Sequence, residues 1–385
     1  MPTIKFSAVL ALFALLAPAA FAQEPAPVIP PVPAAPEIPA RGYILVDFHS
    51  GEVLAEQNAD AAMDPASITK LMTAYAVFHE LAKGKMSLDD QVLVSERAWR
   101  TQGSRTFIDV GSSVRLEDLV RGMIVQSGND ASVALAEHTA GTEQAFADLM
   151  NAYAQRLGMT GTSFRNATGL PSEGHYSTAR DIALLASALI REFPDYYQYY
   201  SEREFTYNKI TQRNRNALLW QDPTVDGLKT GMTDAAGYCL VTSASRDDMR
   251  LVSVVLGTSG PKVRAQASLS LLNWGFRFYE THRLYAAGQP VTTARVWKGS
   301  LELAELGLEQ DLWITLPRGR YEQLQAAMEL ESPLLAPLEP GRSVGQLRLS
   351  LEDRTLAERS LHPLAPVPIG GVWRQAMDSV LLWLE

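Results

Sequence analysis

Strand-like sequence brackets a long helical stretch in this chain, and few folds accommodate that order. The segment "GYILVDFHSGEVLAEQ" reads as two strands about the turn His49-Ser50-Gly51. Helical patterns follow at about residues 67–82, 116–126, 130–140, 144–157 and 178–192, each with apolar residues at three- and four-residue spacing. Strand-like runs return at "GYCLVTSAS" and "MRLVSVVLG" around the charged turn Asp247-Asp248, and "SLSLLNWGFRFYE" closes the region as a helix. An α/β (α+β) layer in which helices flank an antiparallel sheet is the simplest assembly.

The flanking segments have different textures. Residues 1–22 carry one basic residue (Lys5), an apolar run from Phe6 to Leu16 and a small-residue exit at Ala20 and Ala22, the anatomy of a cleaved secretory signal; the mature protein is expected to start near Gln23 and to be exported. Residues 23–40 alternate proline with small apolar residues and predict an extended, polyproline-like linker with no core to bury. The main domain is expected over residues 41–282. From 283 to 368 short β-like runs broken by Gly, Pro and Asp predict a small all-β domain. Residues 369–385, "GGVWRQAMDSVLLWLE" from Gly370, gather apolar residues on one helical face with Trp373 and Trp383 as amphipathic anchors, which suits a membrane-surface helix or a terminal helix packed on the protein or in a dimer.

Composition closes off several function classes. With 46% hydrophobic and 20% charged residues the chain is globular. Its formal charge of −9 argues against a nucleic-acid partner. A single cysteine, Cys239, rules out an intramolecular disulfide and is expected to be a buried structural thiol. Six histidines without a His-Glu-x-x-His pattern call for no metal, and no cofactor is expected.

The chemistry rests on three short stretches. In "DPASITKLMTAY", Ser67 and Lys70 stand three residues apart, on one helical face at a helix start. A neutral lysine there can take the serine proton, provided that the site lowers a pKa that is ordinarily near 10.4. Alone, the pair reads as a capping serine and a solvated lysine, because Ser-x-x-Lys arises about once by chance in a chain this long. Ser127-Gly128-Asn129 follows the helical "LEDLVRGMIVQ", and Lys229-Thr230-Gly231 precedes "GYCLV". The order matches the Ser-x-x-Lys, Ser-x-Asn and Lys-Thr-Gly set of serine β-lactamases and penicillin-binding proteins.

The stretches "DPASITKLMTAY", "MIVQSGNDASVALAEHTAG", "GLPSEGHYSTARDIALL" and "VDGLKTGMTDAAGYCLVTSA" closely resemble the D-alanyl-D-alanine carboxypeptidases among the low-molecular-mass penicillin-binding proteins, over about residues 40 to 370. The resemblance implies a penicillin-binding/serine β-lactamase-like transpeptidase domain and removal of the terminal D-alanine from peptidoglycan stem pentapeptides, with acylation by β-lactams. It makes Ser67 the nucleophile, Lys70 its base and Ser127 a proton relay. Asn129 would orient Lys70 and a substrate amide, Lys229 would supply positive potential, and Thr230 would bind the substrate carboxylate beside Gly231. The backbone N–H groups of Ser67 and Met232 would form the oxyanion hole. Arg215 and Arg264 stand where relatives place arginines near the site, with surface salt bridges as the other reading.

Many relatives carry histidine where this chain has Met232, so the resemblance leaves pH dependence and substrate preference open. His175 is expected to be a loop residue. Lys229 is the first neighbour expected to lower the pKa of Lys70. The same motifs also serve a β-lactamase, though no Glu-x-x-Leu-Asn loop is present, and a D,D-endopeptidase. A non-enzymatic wall-organising protein, binding through the β domain, is the alternative from a different class. The expected location is the periplasm, peripheral on the outer face of the cytoplasmic membrane.

Overall fold

The computed structural model describes residues 31–384. The signal reading and the first part of the proline-rich reading fall outside them.

Two strands, β1 (Gly42–Asp47) and β2 (Val53–Gln57), form the expected hairpin. A 3₁₀ turn over Ala66–Thr69 leads into α1 (Lys70–Ala82). Every residue of α1 from Lys70 to Leu81 is buried, so this helix is a central rod rather than an amphipathic surface element. Around it stand a two-stranded ribbon of β3 (Gln91–Leu93) and β4 (Ser113–Arg115), then α2 (Glu96–Arg100), α3 (Leu116–Arg121), α4 (Asn129–Ala140), α5 (Glu143–Arg156) and α6 (Ala179–Glu192). Serine or threonine side chains cap α2, α5 and α6, each accepting from a backbone N–H in the first turn. A short α7 (Pro194–Tyr197), the hairpin β5 (Glu204–Tyr207) and β6 (Ile210–Arg213), and α8 (Leu218–Gln221) return the chain to the sheet.

The remaining main-domain strands are β7 (Val225–Thr233), β8 (Gly237–Arg246) and β9 (Met249–Thr258), giving one antiparallel sheet in the order β2-β1-β9-β8-β7. Alternation divides its side chains between two cores. Ile44, Val46, Val241, Val252 and Val254 face the helices around α1, whereas Tyr43, Leu45, Leu240, Leu251 and Val255 face α9 (Pro261–Phe278). The strands read as nearly continuous apolar runs because both faces are covered.

Beyond α9, β10 (Tyr279–Tyr285) pairs with β13 (Leu312–Pro317), while β11 (Pro290–Arg295), β12 (Leu303–Gly307), β14 (Leu324–Leu330), β15 (Gly345–Leu351) and β16 (Arg354–Pro363) form a sheet in the order β11-β12-β16-β15-β14. This all-β part has its own core around Val296, Leu306, Ile314, Leu347 and Leu361. The change of texture at residue 283 therefore lies inside a strand, and Tyr279-Glu280 starts that strand instead of ending a helix. The last element, α10 (Val372–Leu384), exposes Val372, Trp373, Met377, Val380, Trp383 and Leu384. Its polar Asp378 is the buried residue, accepting from the backbone N–H of Lys298 at 2.6 Å.

One expectation about the linker is overturned. Residues 32–40 do bury a core: Ile38 is buried, Val32, Ala35 and Ala40 pack on the α9 side of the sheet, and Trp274 donates from its indole N–H to the Pro33 carbonyl at 3.2 Å. The small apolar residues between the prolines supply this contact, and proline, lacking an N–H, still offers its carbonyl.

Candidate active site

The site forms where α1 begins. Ala66 holds a left-handed backbone, φ +47°, unusual for a residue with a β-carbon, and it turns the chain sharply before Ser67. Strand β7 comes close behind this turn because Gly231 has no side chain: a β-carbon there would stand 3.1 Å from the Pro65 carbonyl oxygen and 3.3 Å from the Ala66 β-carbon. Lys-Thr-Gly thus precedes the "GYCLV" strand β8, as expected, and is itself part of strand β7, where its glycine sets the approach.

Lys70 is completely enclosed as the first residue of the buried helix. Its Nζ lies 3.0 Å from Ser67 Oγ, 2.7 Å from Asn129 Oδ1 and 2.6 Å from the Thr168 carbonyl oxygen. An ammonium donates to all three. A neutral amine keeps two hydrogens for Asn129 and Thr168, which leaves its lone pair directed at the Ser67 hydroxyl. Burial brings Lys70 down to about 7, with the Arg215 charge adding to it and Asp130 opposing. Arg215 is thus a cation acting on it, and Lys70 and Lys229 disfavour each other's charge. Lys229 is itself buried, with Nζ donating to the Thr230 carbonyl at 3.0 Å, and is held well below the usual lysine range by burial, then by the charges of Lys70, Arg215 and Arg264.

The second wall comes from the junction after α3. One π-helical turn, Gly122–Gln126, ends at Ser127 in a left-handed conformation, and Asn129 starts α4. The Ser127 hydroxyl is buried and has no hydrogen-bond partner among the described residues. Asn129 donates from Nδ2 to the Gln102 carbonyl at 2.6 Å, and its own backbone N–H donates to the Ser104 carbonyl at 2.7 Å. Next to it the buried carboxylate of Asp130 accepts from the backbone N–H groups of Thr106 and Phe107, so the 102–108 segment is pinned against α4.

These elements surround a cleft of about 240 Å³ lined by Ser67, Ser127, Asn129, Arg215, Thr230, Gly231, Met232 and Arg264 among the expected residues. Met232 is 51% exposed and contributes no titratable group to it. The salt-bridge reading of the two arginines fails. Arg264 is buried and donates to the carbonyl oxygens of Gly231 (3.0 Å) and Cys239 (3.4 Å), bracing β7 and β8 from α9. Arg215 lines the cleft and forms no salt bridge or side-chain hydrogen bond among the described residues. Cys239 is a buried free thiol, as expected.

Sequence reasoning missed the floor of the cleft, formed by Thr168, Gly169 and Leu170, and the edge formed by Gly103, Ser104 and Tyr238. A glycine inside "RNATGLPSEG" was the signal for a close approach. Nothing in the sequence marks Thr168, which acts through its backbone carbonyl.

Comparison with known proteins agrees with this arrangement. Residues 30–260 match the family described as D-alanyl-D-alanine carboxypeptidase, and residues 279–368 match the penicillin-binding protein 5 C-terminal domain. The D-alanyl-D-alanine carboxypeptidase DacC of Escherichia coli is 44% identical over 376 residues, covering 96% of this chain and 92% of its own. The crystal structure of penicillin-binding protein 5 from Haemophilus influenzae superposes with a TM-score of 0.84 at 41% identity, covering 87% of this chain and 99% of that one. Penicillin-binding protein D2 of Listeria monocytogenes, solved in an ampicillin-bound form, gives 0.59 at 32% identity over 63% of this chain and all of that one. A buried lysine poised beside a serine is what a metal-free acyl transfer needs, and by descent as well as by geometry the chain belongs to the serine-type D-alanyl-D-alanine carboxypeptidases of the penicillin-binding protein family.

Proposed function

We propose that the chain removes the terminal D-alanine from peptidoglycan stem pentapeptides through an acyl-enzyme on Ser67. The observation that carries this reading is the 3.0 Å contact between Ser67 Oγ and a Lys70 amine brought down to about 7. Ser67 Oγ attacks the carbonyl carbon of the penultimate D-alanine as its proton passes to the Lys70 lone pair. The backbone N–H groups of Ser67 and Met232, both on the cleft, stabilise the oxyanion. Ser127, whose hydroxyl has no partner among the described residues, relays a proton to the departing D-alanine nitrogen. Water then attacks the ester carbonyl and frees Ser67.

Thr230 and Arg215, which has no side-chain partner among the described residues, hold the substrate carboxylate, Asn129 orients Lys70, and Lys229 and Arg264 add positive potential from behind the wall. A carboxylate arriving in the cleft also favours the charged form of Lys229. β-Lactams acylate the same serine, because their strained amide imitates the D-alanyl-D-alanine bond. Residues 1–22 act as the export signal, and the protein works in the periplasm. No helix among the described residues is long and apolar enough to cross a membrane. The exposed apolar face of α10 seats the protein on the outer surface of the cytoplasmic membrane, with the β domain as a spacer.

The test follows D-alanine release from a D-alanyl-D-alanine pentapeptide by the mature protein beside Ser67→Ala. Release by the wild type alone, with a penicillin adduct that is absent from the mutant, supports the reading. No release, or equal release by the mutant, overturns it.

A further inference from the structure

Between the two reactive residues stands Thr69, and it is bonded from outside its own helix. Its Oγ1 lies 2.9 Å from Nε2 of His175, and Nδ1 of the same ring accepts from the Arg165 backbone N–H at 3.0 Å. A backbone amide can only donate, so Nδ1 carries no hydrogen. The neutral ring must then hold its hydrogen on Nε2 and donate it to Thr69. Neutrality follows from burial, which pushes His175 down to about 4; Arg165 adds to this and Asp64 opposes it. Both ring nitrogens are thus engaged, one within the loop and one at the nucleophile turn.

The loop that His175 closes reaches the site at three further points. Thr168 accepts from Lys70 through its carbonyl, the Ala167 carbonyl accepts from Thr73 Oγ1 at 2.7 Å, and Gly169 lies against the Ala66 carbonyl. Thr168, Gly169 and Leu170 also line the cleft. A single imidazole therefore ties the segment that contacts both the base and the substrate space to the residue between Ser67 and Lys70.

We propose that His175 is a positioning residue for the Ser67–Lys70 pair, stapling the 165–175 loop to Thr69 so that the Thr168 carbonyl and the Lys70 amine keep their register. This rests on the reading of Ser67 and Lys70 as the attacking pair. Without the ring, the loop loses a bond at each end and water gains access to Lys70. Hydration relieves burial, the largest cause acting on that lysine, and raises its pKa. The groups around Lys70 that set the outcome are Ser67 on its own turn, Asn129 and Asp130 on α4, Thr168 on the loop, and the charges of Arg215 and Lys229.

The test uses the mature full-length protein as wild type, His175→Ala, His175→Gln and Ser67→Ala. Penicillin acylation is timed by intact mass across neutral pH, and D-alanine release is separated into kcat and KM. The staple predicts that His175→Ala acylates roughly tenfold or more slowly, loses kcat with little change in KM, and has its acid limb moved to higher pH. Glutamine supplies an acceptor for Arg165 and a donor for Thr69, so His175→Gln recovers most of the rate and the wild-type limb. An alanine variant with wild-type rate and limb overturns the proposal, as does one that loses only thermal stability, or a folded glutamine variant without rescue. If His175→Ala does not fold, Thr69→Val cuts one end of the same link and is expected to move the limb in the same direction; an unmoved limb refutes the staple. Failure of the wild type to be acylated, or equal labelling of Ser67→Ala, would instead defeat the underlying reading of the attacking pair.

Discussion

Gly169 lies so close to the nucleophile turn that a β-carbon built on it would stand 1.8 Å from the carbonyl oxygen of Ala66. Its backbone is also left-handed, φ +79°, which costs a residue with a side chain roughly 1–2 kcal/mol before any clash. Gly169→Ala should therefore push the loop off the turn and carry the Thr168 carbonyl away from Lys70. Penicillin acylation is expected to fall by roughly tenfold or more, and a thermal melt should show a destabilisation of about 2 kcal/mol or more. Unchanged acylation would show that the loop's approach does not matter to the base.

How much of this was legible beforehand depends on what kind of signal each part leaves. The residue order located the hairpin, the five long helical patterns and the strands flanking Asp247-Asp248: half-covered helices such as α5 and α6 write their burial into a periodic pattern, whereas α1 and the sheet strands, covered on all sides, show as apolar runs bounded by turn residues. The same reasoning misjudged the C-terminal end of α9, where Tyr279 and Glu280 suit either state and only pairing with Pro317 and Leu316 decides it. At the site, the paired motifs located side chains but not carbonyls. Thr168 contributes a backbone oxygen to Lys70, and any residue has one, so composition is silent there. Likewise, the placement of Arg215 near Lys70 comes from tertiary packing between segments far apart in sequence.

The ionisation of Lys70 sets the pH dependence of acylation. Only the neutral amine accepts the serine proton, so with a pKa of about 7 the rate should climb roughly tenfold per unit below that value and level off above it. Arg215→Ala removes a cation that disfavours the Lys70 ammonium. The pKa of Lys70 should then rise and the acid limb should move to higher pH, read with a β-lactam so that loss of carboxylate binding is visible separately as weaker saturation. A limb that stays in place, or moves to lower pH, would contradict the assignment of Arg215 as a cation acting on Lys70.

The terminal helix is held by its polar side. Asp378 is buried, accepts from the Lys298 N–H at 2.6 Å and has Arg374 Nε at 3.5 Å, while Trp373 and Trp383 point to solvent at 91% and 85% exposure. Asp378→Ala leaves that N–H unpaired at a cost of about 1–3 kcal/mol. Hydrogen exchange across residues 372–384 should accelerate while D-alanine release from a soluble peptide stays unchanged. Deleting residues 371–385 should in addition abolish binding to liposomes; retained binding would remove the membrane role.

The two parts of the protein meet through a buried carboxylate. Asp47, at the end of β1, accepts from the N–H groups of His49 (3.0 Å) and Ser50 (2.8 Å) with Oδ1 and from the Thr281 hydroxyl with Oδ2 at 2.7 Å. The Thr315 hydroxyl lies 2.7 Å from that of Ser50 and 2.9 Å from that of Thr281, and the His49 ring stacks on Trp313 at 4.2 Å between centroids. The tight turn and the β10–β13 ribbon are therefore solved by one acceptor. Asp47→Ala removes the acceptor of four donors, the N–H groups of His49 and Ser50 and the hydroxyls of Ser50 and Thr281; the hydroxyls keep Thr315, but the two backbone groups lose their acceptor, so a loss of about 2–4 kcal/mol is expected. Because the network spans the joint and not either core, the loss should appear as earlier release of the Trp313 environment in urea, followed by fluorescence, ahead of the loss of penicillin labelling at Ser67. Coincident transitions in the variant would mean that the joint does not depend on this carboxylate and that the cores of the two parts unfold as one.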